Sequence, residues 1–439
     1  LEERVTKSAP HVLTKPNYGV CISWECLTGK QVDLDLQAVI VDERGLVVDA
    51  VYYNNLVAMH GAIGHTGDAV KHNLGFTESI WVRFPKLPKQ VALIIFVVTA
   101  TDGSRLRDAD NGVVYLCEQS MCKKVRQTKV EKSMADADVV AIMKKLEDGS
   151  WAMYDIDEPA EGGSHFIDIL EPTIGNLIRA EIPHAPLFQK VAFMMDKGDV
   201  ADFPETAKLR RLAVGVGAEL KPGIGKPVDI DISAHFYSHN GKNLGQVDAD
   251  VGGMHGVEHS GDTFAGDRPG ADDEAITIDL MQVPHSVGMI FLLLTVRDGT
   301  FESVERPYAR VVDQTATELL HYDVTDGQNM DGLVIGRLLC SPGKRWAFQA
   351  HGKYYHNSTK SWAAARKEME NILKAEGEAT AAATQALVVP TSMTARSNSA
   401  SLLPRSKSKG GASSPEGAVP RRSRVMTVSM GGGSVGTDG

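Results

Sequence analysis

Long hydrophobic runs are missing from this sequence: no apolar stretch in its 439 residues approaches the roughly 20 that a membrane-spanning helix needs. Cysteine is scarce. Cys21, Cys26, Cys117, Cys122 and Cys340 are an odd, scattered set, which argues against a disulfide framework and predicts reduced thiols in a cytoplasmic protein. The opening "LEERVTKSAPHVLTK" has neither the apolar segment of a secretory signal nor an initiator Met, so the natural chain is expected to begin earlier. Positive charge is short as well, with a formal net charge of −10. From Ala381 onward seven Lys/Arg stand against two Asp/Glu, so the tail is basic and the rest of the chain carries −15. A body that acidic is a poor partner for nucleic acid, whose phosphates require cations, and a suitable one for metal cations.

What the chain does have is a repeat. "KQVDLDLQAVIVDERGLVV" (30–48) matches "KPVDIDISAHFYSHNGKNL" (226–244), and "MHGAIGHTGD" (59–68) matches "MHGVEHSGD" (254–262). "LPKQVALIIFVVTATDG" (87–103) matches "VPHSVGMIFLLLTVRDG" (283–299), and "DGSWAMY" (148–154) matches "GKRWAFQ" (343–349). Four landmarks in one order, at an offset that stays between 194 and 196, define two homologous units of ordinary domain size.

The local pattern is mostly strand. "VDLDLQAVIV" and "VDIDISAHFY" alternate with period two, which predicts aspartates on one face and apolar residues on the other. "VALIIFVVTA" and "VGMIFLLLTV" are unbroken apolar runs, as expected for central strands buried on both faces. With Asp-Gly and Asn-Gly turns between strands, each unit is predicted to be a two-sheet β-sandwich with short peripheral helices. Residues 164–182 have helical spacing, broken at Pro172, and 359–379 read as an amphipathic helix with Trp362, Met369 and Leu373 on one side. The expected division is a first domain at 1–183, a linker at 184–209, a second domain at 210–378, and a disordered Ser/Arg-rich tail at 379–439.

Chemistry concentrates in the second repeat. Asp229 and Asp231 lie two apart on a strand and share a face. Asp262, Asp267, Asp272, Asp273 and Glu274 crowd into thirteen positions around Gly266, Pro269 and Gly270. A solvated acidic turn accounts for such a loop taken alone. The paired strand aspartates, repeated as Asp33 and Asp35, favour a cation. Many hard oxygen ligands at flexible distances suit Ca²⁺, whereas zinc and copper sites draw on Cys and His.

The "DxD" strand, the "H-[ST]-G-D" turn, the "D-D-E" loop running into "ITIDL", the "VP..V..I.F" strand and the late Trp strand together resemble the TerD-type domain family of tellurium resistance. The likeness covers nearly all of residues 17–182 and 210–375. It implies tandem β-sandwiches that bind Ca²⁺ through acidic loops, in stress-response proteins without catalysis. It implies Asp229, Asp231, Asp262, Asp267, Asp272, Asp273 and Glu274 as ligands. Thr263, where the family usually has Asn, and the Arg268-Pro269 insertion depart from the pattern. The first repeat keeps Asp33, Asp35, His65 and Asp68, but only Glu78 is acidic in the loop after them, and Lys71 is a tethered competitor. Its site is expected to be weak or vestigial.

Other signals weigh less. Cys21/Cys26 and Cys117/Cys122 have a spacing compatible with zinc but lack the glycine turn that folds ligands around a metal, which predicts buried free thiols instead. His65 and His259 precede the Gly-Asp turn, and a turn-bonding role outweighs a general base. The tail's Arg396-x-x-Ser399, Arg405-x-x-Ser408 and Arg424-x-x-Thr427 suit a basophilic kinase. The reading is a non-enzymatic tandem Ca²⁺ protein of stress response with unidentified protein partners. The alternatives are a metal-dependent hydrolase using His259 and Asp262, and a metal-independent scaffold.

Overall fold

The computed structural model describes residues 9–27, 32–67, 77–101, 103–119, 123–205, 208–220, 230–261, 272, 274–297, 299–324, 329–341, 345–356, 362–387 and 424–426. Each repeat is a two-sheet β-sandwich, so the chain is mainly β as its periodicity predicts. In the first unit one sheet runs in the order His11–Leu13, Trp151–Ala160, Ala137–Lys145, Val91–Ala100, Leu34–Asp42, Val47–Val51. The facing sheet runs Lys123–Lys129, Asp110–Glu118, Asn17–Glu25, Glu78–Arg83, Ile63–His65, Val57–Ala58. Their inner faces meet through Val20, Ile22, Leu36, Ile40, Ile94, Phe96 and Leu116, all essentially without exposure.

The second unit repeats this plan. Val200–Asp202, Trp346–Tyr355, Gly332–Cys340, Met289–Val296, Ile230–Tyr237 and Asn243–Val247 form one sheet. The other contains Val257–His259, Glu274–Asp279, Arg211–Leu220, Val304–Asp313, Glu318–Asp323 and Ala192–Met195 among its strands. Two short strands, Ala192–Met195 and Val200–Asp202, thus come from the segment read as a linker. The first pairs parallel with Glu318–Asp323 and the second antiparallel with Trp346–Tyr355, so one strand joins each sheet.

One expectation is corrected at Leu34–Asp42. The alternation of its sequence predicts one polar face, yet all nine residues are buried, including Asp35, Gln37 and Asp42. The cause is the segment after the Trp strand. Phe166, Ile169, Ile174, Leu177, Ile178 and Ile182 cover the outer side of Val39, Val41, Leu93, Ile95 and Val97. The predicted helix over 164–182 is mostly irregular: only Gly175–Glu181 is α-helical, and Leu170–Ile174 forms a wider turn around Pro172. The apolar cluster then continues through Phe193, Ala201 and Phe203 into Val214, Ile232, Ile276 and Ile290. The two units therefore share one contiguous core.

Polar groups fix how they meet. Gly45 has φ +77°, and a Cβ there would stand 2.2 Å from the Ala185 Cβ, so only glycine fits. Gln189 donates to the Gly45 carbonyl at 2.8 Å. Arg345 of the second unit donates to the fully buried Asp168 carboxylate at 2.5 Å and to the Phe203 carbonyl at 2.9 Å. Asn54 of the first unit donates to Asp202 Oδ2 at 2.7 Å.

In the second unit the outer face is covered by the helix Trp362–Leu387, through Trp362, Ala365, Met369, Ile372 and Leu373 packed on Tyr237, Phe291, Leu293 and Val334. It runs past the predicted boundary at 378 because "EATAAATQAL" is rich in strong helix formers. Beyond it, the tail expected to be disordered lies outside the described residues except for the strand Arg424–Met426. Among the described residues no helix is long and apolar enough to cross a membrane.

Replacing Phe203 by Ala is expected to cost about 3–5 kcal/mol in denaturant unfolding, with both units lost in one transition. Burial raises the Asp202 carboxyl to about 6. A carboxyl whose folded pKa is raised contributes stability that is full below its unfolded value near 3.8 and is lost as pH rises through about 6. Asp202→Asn should therefore narrow the difference in melting temperature between pH 4.5 and pH 7.5.

Candidate functional site

The two units build the same buried tie between their sheets. In the second, Glu274 Oε2 accepts from the Ile232 amide at 2.8 Å, and His259 Nε2 lies 3.1 Å from the Ile232 carbonyl and 3.3 Å from Glu274 Oε2. In the first, Glu78 Oε2 accepts from the Leu36 amide at 2.8 Å, and His65 Nε2 lies 3.1 Å from the Leu36 carbonyl and 3.5 Å from Glu78 Oε2. Both carboxylates and both imidazoles are buried. The residue held, Leu36 or Ile232, directly succeeds the second aspartate of the "DxD" pair. The tie therefore pins the acidic strand of one sheet to the exit of the acidic loop in the other.

The turn before the loop completes it. Gly67 and Gly261 donate their amides to Nδ1 of His65 and His259 at 2.9 and 3.0 Å. Nδ1 is then the acceptor and Nε2 carries the hydrogen, which points to the carbonyl. Both ring nitrogens are engaged, and the rings are closed to solvent. This geometry serves the turn, as expected from the position of each histidine before it, and offers no free nitrogen to a water or a substrate.

Of the ligands implied by resemblance, Asp231, Asp272 and Glu274 fall within the described residues, as do Asp33, Asp35 and Glu78. Asp229, Asp262, Asp267, Asp273 and Asp68 lie outside them, together with Lys71. Asp231 Oδ1 accepts from Arg297 Nη2 at 2.8 Å. Asp272 is on the outer side of the sheet, where Arg310 holds it in a fork at 2.7 and 2.9 Å and Tyr308 donates at 3.3 Å. A Cβ on Gly215 would stand 2.1 Å from Asp272 Oδ2, so the carboxylate lies flat on bare backbone. Asp272 and Glu274 thus leave the loop in different directions, one to the outer face and one to the core. Among the described residues no three His, Cys, Asp or Glu side chains converge to metal-binding distance.

Sequence reasoning missed Arg297 and Arg310. Each belongs to an ordinary-looking strand or turn, and only strand register places it beside a carboxylate. The cysteines differ from expectation in one respect. Cys21 and Cys117 are buried together beneath Trp81 and Tyr115, but Cys26 is exposed. Cys122 lies outside the described residues.

Within the two ties one carboxylate oxygen of the first unit stands out. Among the described residues Glu78 Oε1 has no hydrogen-bond partner, and it has no exposure. It is the kind of orphan that an ordered water or a cation satisfies.

The family model described as TerD domain matches residues 4–163 and 191–364, one stretch per unit. Tellurium resistance protein TerD of Serratia marcescens is 31% identical over 170 residues, which are 36% of this chain and 88% of that protein. General stress protein 16U of Bacillus subtilis (strain 168) is 29% identical over 172 residues, 36% of this chain and 89% of that protein. Among solved structures, a homologue of telluride resistance protein (TerD) from Streptomyces coelicolor A3(2) shares 19% identity, with a TM-score of 0.30, over 36% of this chain and 96% of that one.

His259→Ala should leave a buried carboxylate and a buried carbonyl short of a partner, at a cost of about 1–3 kcal/mol. His65→Ala should cost a similar amount, and urea unfolding of the two variants measures both. An effect near zero at either position would show that the tie is not structural.

Proposed function

The chain belongs to the TerD domain family, and from that premise we propose that it is a cytoplasmic, non-enzymatic stress-response module that binds Ca²⁺ through its second unit. The observation that carries the reading is the duplicated histidine–glutamate tie. Both units hold the acidic strand against the exit of the loop in the same way, yet only the second loop keeps its carboxylates. A scaffold preserved in both, with charge retained in one, fits a site whose ligands are separable from its fold. The relatives named for tellurium resistance and general stress support the stress role. The sparse, odd-numbered set of five cysteines supports a reducing compartment.

The donor chemistry fits a hard cation, with carboxylates on the strand and loop of the second unit. Asp229, Asp231, Asp262, Asp267 and Asp273 would hold the ion in the second unit. Asp272 would act differently, anchoring the loop to Arg310 on the outer face. Bound Ca²⁺ would supply the charge that offsets the repulsion among the loop carboxylates. In the first unit Lys71 occupies the corresponding loop, and Asp33, Asp35, Asp68 and Glu78 provide too few charges for comparable affinity.

Calorimetric titration of the full chain should give one Ca²⁺ per chain. Ca²⁺ at a hundred times its dissociation constant should add about 2.7 kcal/mol of stability. Asp262→Asn combined with Asp273→Asn should remove both the heat of binding and the thermal shift. Two equivalent sites, or an unchanged response in that double variant, would refute the assignment.

A further inference from the structure

The last strand of one sheet in the second unit comes from far along the chain. Ala192–Met195 has Glu318–Asp323 on one side, in parallel, and Arg424–Met426 on the other. The outer pair is antiparallel, with Ala192 opposite Met426, Phe193 opposite Val425 and Met194 opposite Arg424. The same three tail residues also lie alongside Val47–Val51, the edge strand of a first-unit sheet. Two edges, one from each unit, therefore flank a slot that takes a single strand.

An edge strand presents a row of backbone N–H and C=O groups that pair readily with another extended segment. The tail is chiefly Ser, Arg, Gly and Pro, but "RVMTV" (424–428) is an island of β-forming residues within it. Charge favours the encounter, because the tail is basic and the body carries −15. We infer that the Ala192–Met195 edge, beside Val47–Val51, is a strand-docking seat whose occupant is this chain's own Arg424–Met426 segment. Docking fixes the far end of a long basic tail at the junction of the two units, and an extended peptide of the same sequence competes for the seat. This inference is independent of metal binding, because it rests on strand pairing alone.

The test uses the full chain. Proline at 425 removes a backbone donor and disfavours a paired strand. Hydrogen exchange across Ala192–Met195, referenced to Val91–Ala100 in the same sample, should be about ten-fold faster in Val425→Pro than in the wild type. In Val425→Ile, which keeps the donor, it should be unchanged. A fluorescent peptide of residues 420–430 should bind the Val425→Pro chain and be excluded from the wild type. The same peptide with proline at 425 should bind neither. Equal exchange in the three chains, or equal peptide binding to wild type and Val425→Pro, would overturn the inference.

Discussion

The arrangement of this protein depends on a sheet that cannot face water on either side. Val91–Ala100 is apolar at nearly every position, and in its sheet both alternating sets of side chains need cover. The sandwich partner buries one set, so the other set requires a second apolar surface. Phe166 to Ile182 provide it, and because that segment leads straight into Phe193 and Phe203, the cover is continuous with the core of the next unit. Each buried large aliphatic side chain contributes about 1.5–3 kcal/mol. A junction that engages many of them acts as an interior, and the polar contacts Arg345–Asp168 and Asn54–Asp202 then set its geometry within an apolar surround.

Within that rigid frame, the candidate site shows how a family scaffold persists while its chemistry drifts. The histidine, the glutamate and the strand amide they hold are repeated almost distance for distance. The surroundings have changed. Where the second unit places Asp272 and Arg310 on the outer face, the first has Trp81 over Gly19 and the buried pair Cys21 and Cys117. A charged patch in one unit corresponds to an apolar one in the other, on the same strands. The tie survives in both because it satisfies buried backbone groups, an obligation that does not depend on what the loop binds.

Much of the fold was legible because repetition and period two are properties of a string. The four landmarks marked two units, the unbroken runs marked the central strands, and Trp362, Met369 and Leu373 marked the face of the covering helix. The site was legible in part. His65 and His259 stood out by their place before the turn, but their partners, the amide and carbonyl of Leu36 and Ile232, have no letter in a sequence. Arg297 and Arg310 were hidden because their carboxylates are reached across strands. The period-two reading of Leu34–Asp42 went wrong for the same reason: alternation reports what a strand tolerates, and tertiary cover decides what it faces. The strands of 192–202 were missed because they are too short to show a period.

A shared interior also alters what counts as the heritable unit. The two copies complete one another, so a nonsense mutation or a proteolytic cut between them would release a half with bare apolar surface. Cellular quality control removes such species. Selection therefore acts on the pair. The first copy can lose its loop carboxylates and still be kept, because it remains the wall against which the second folds.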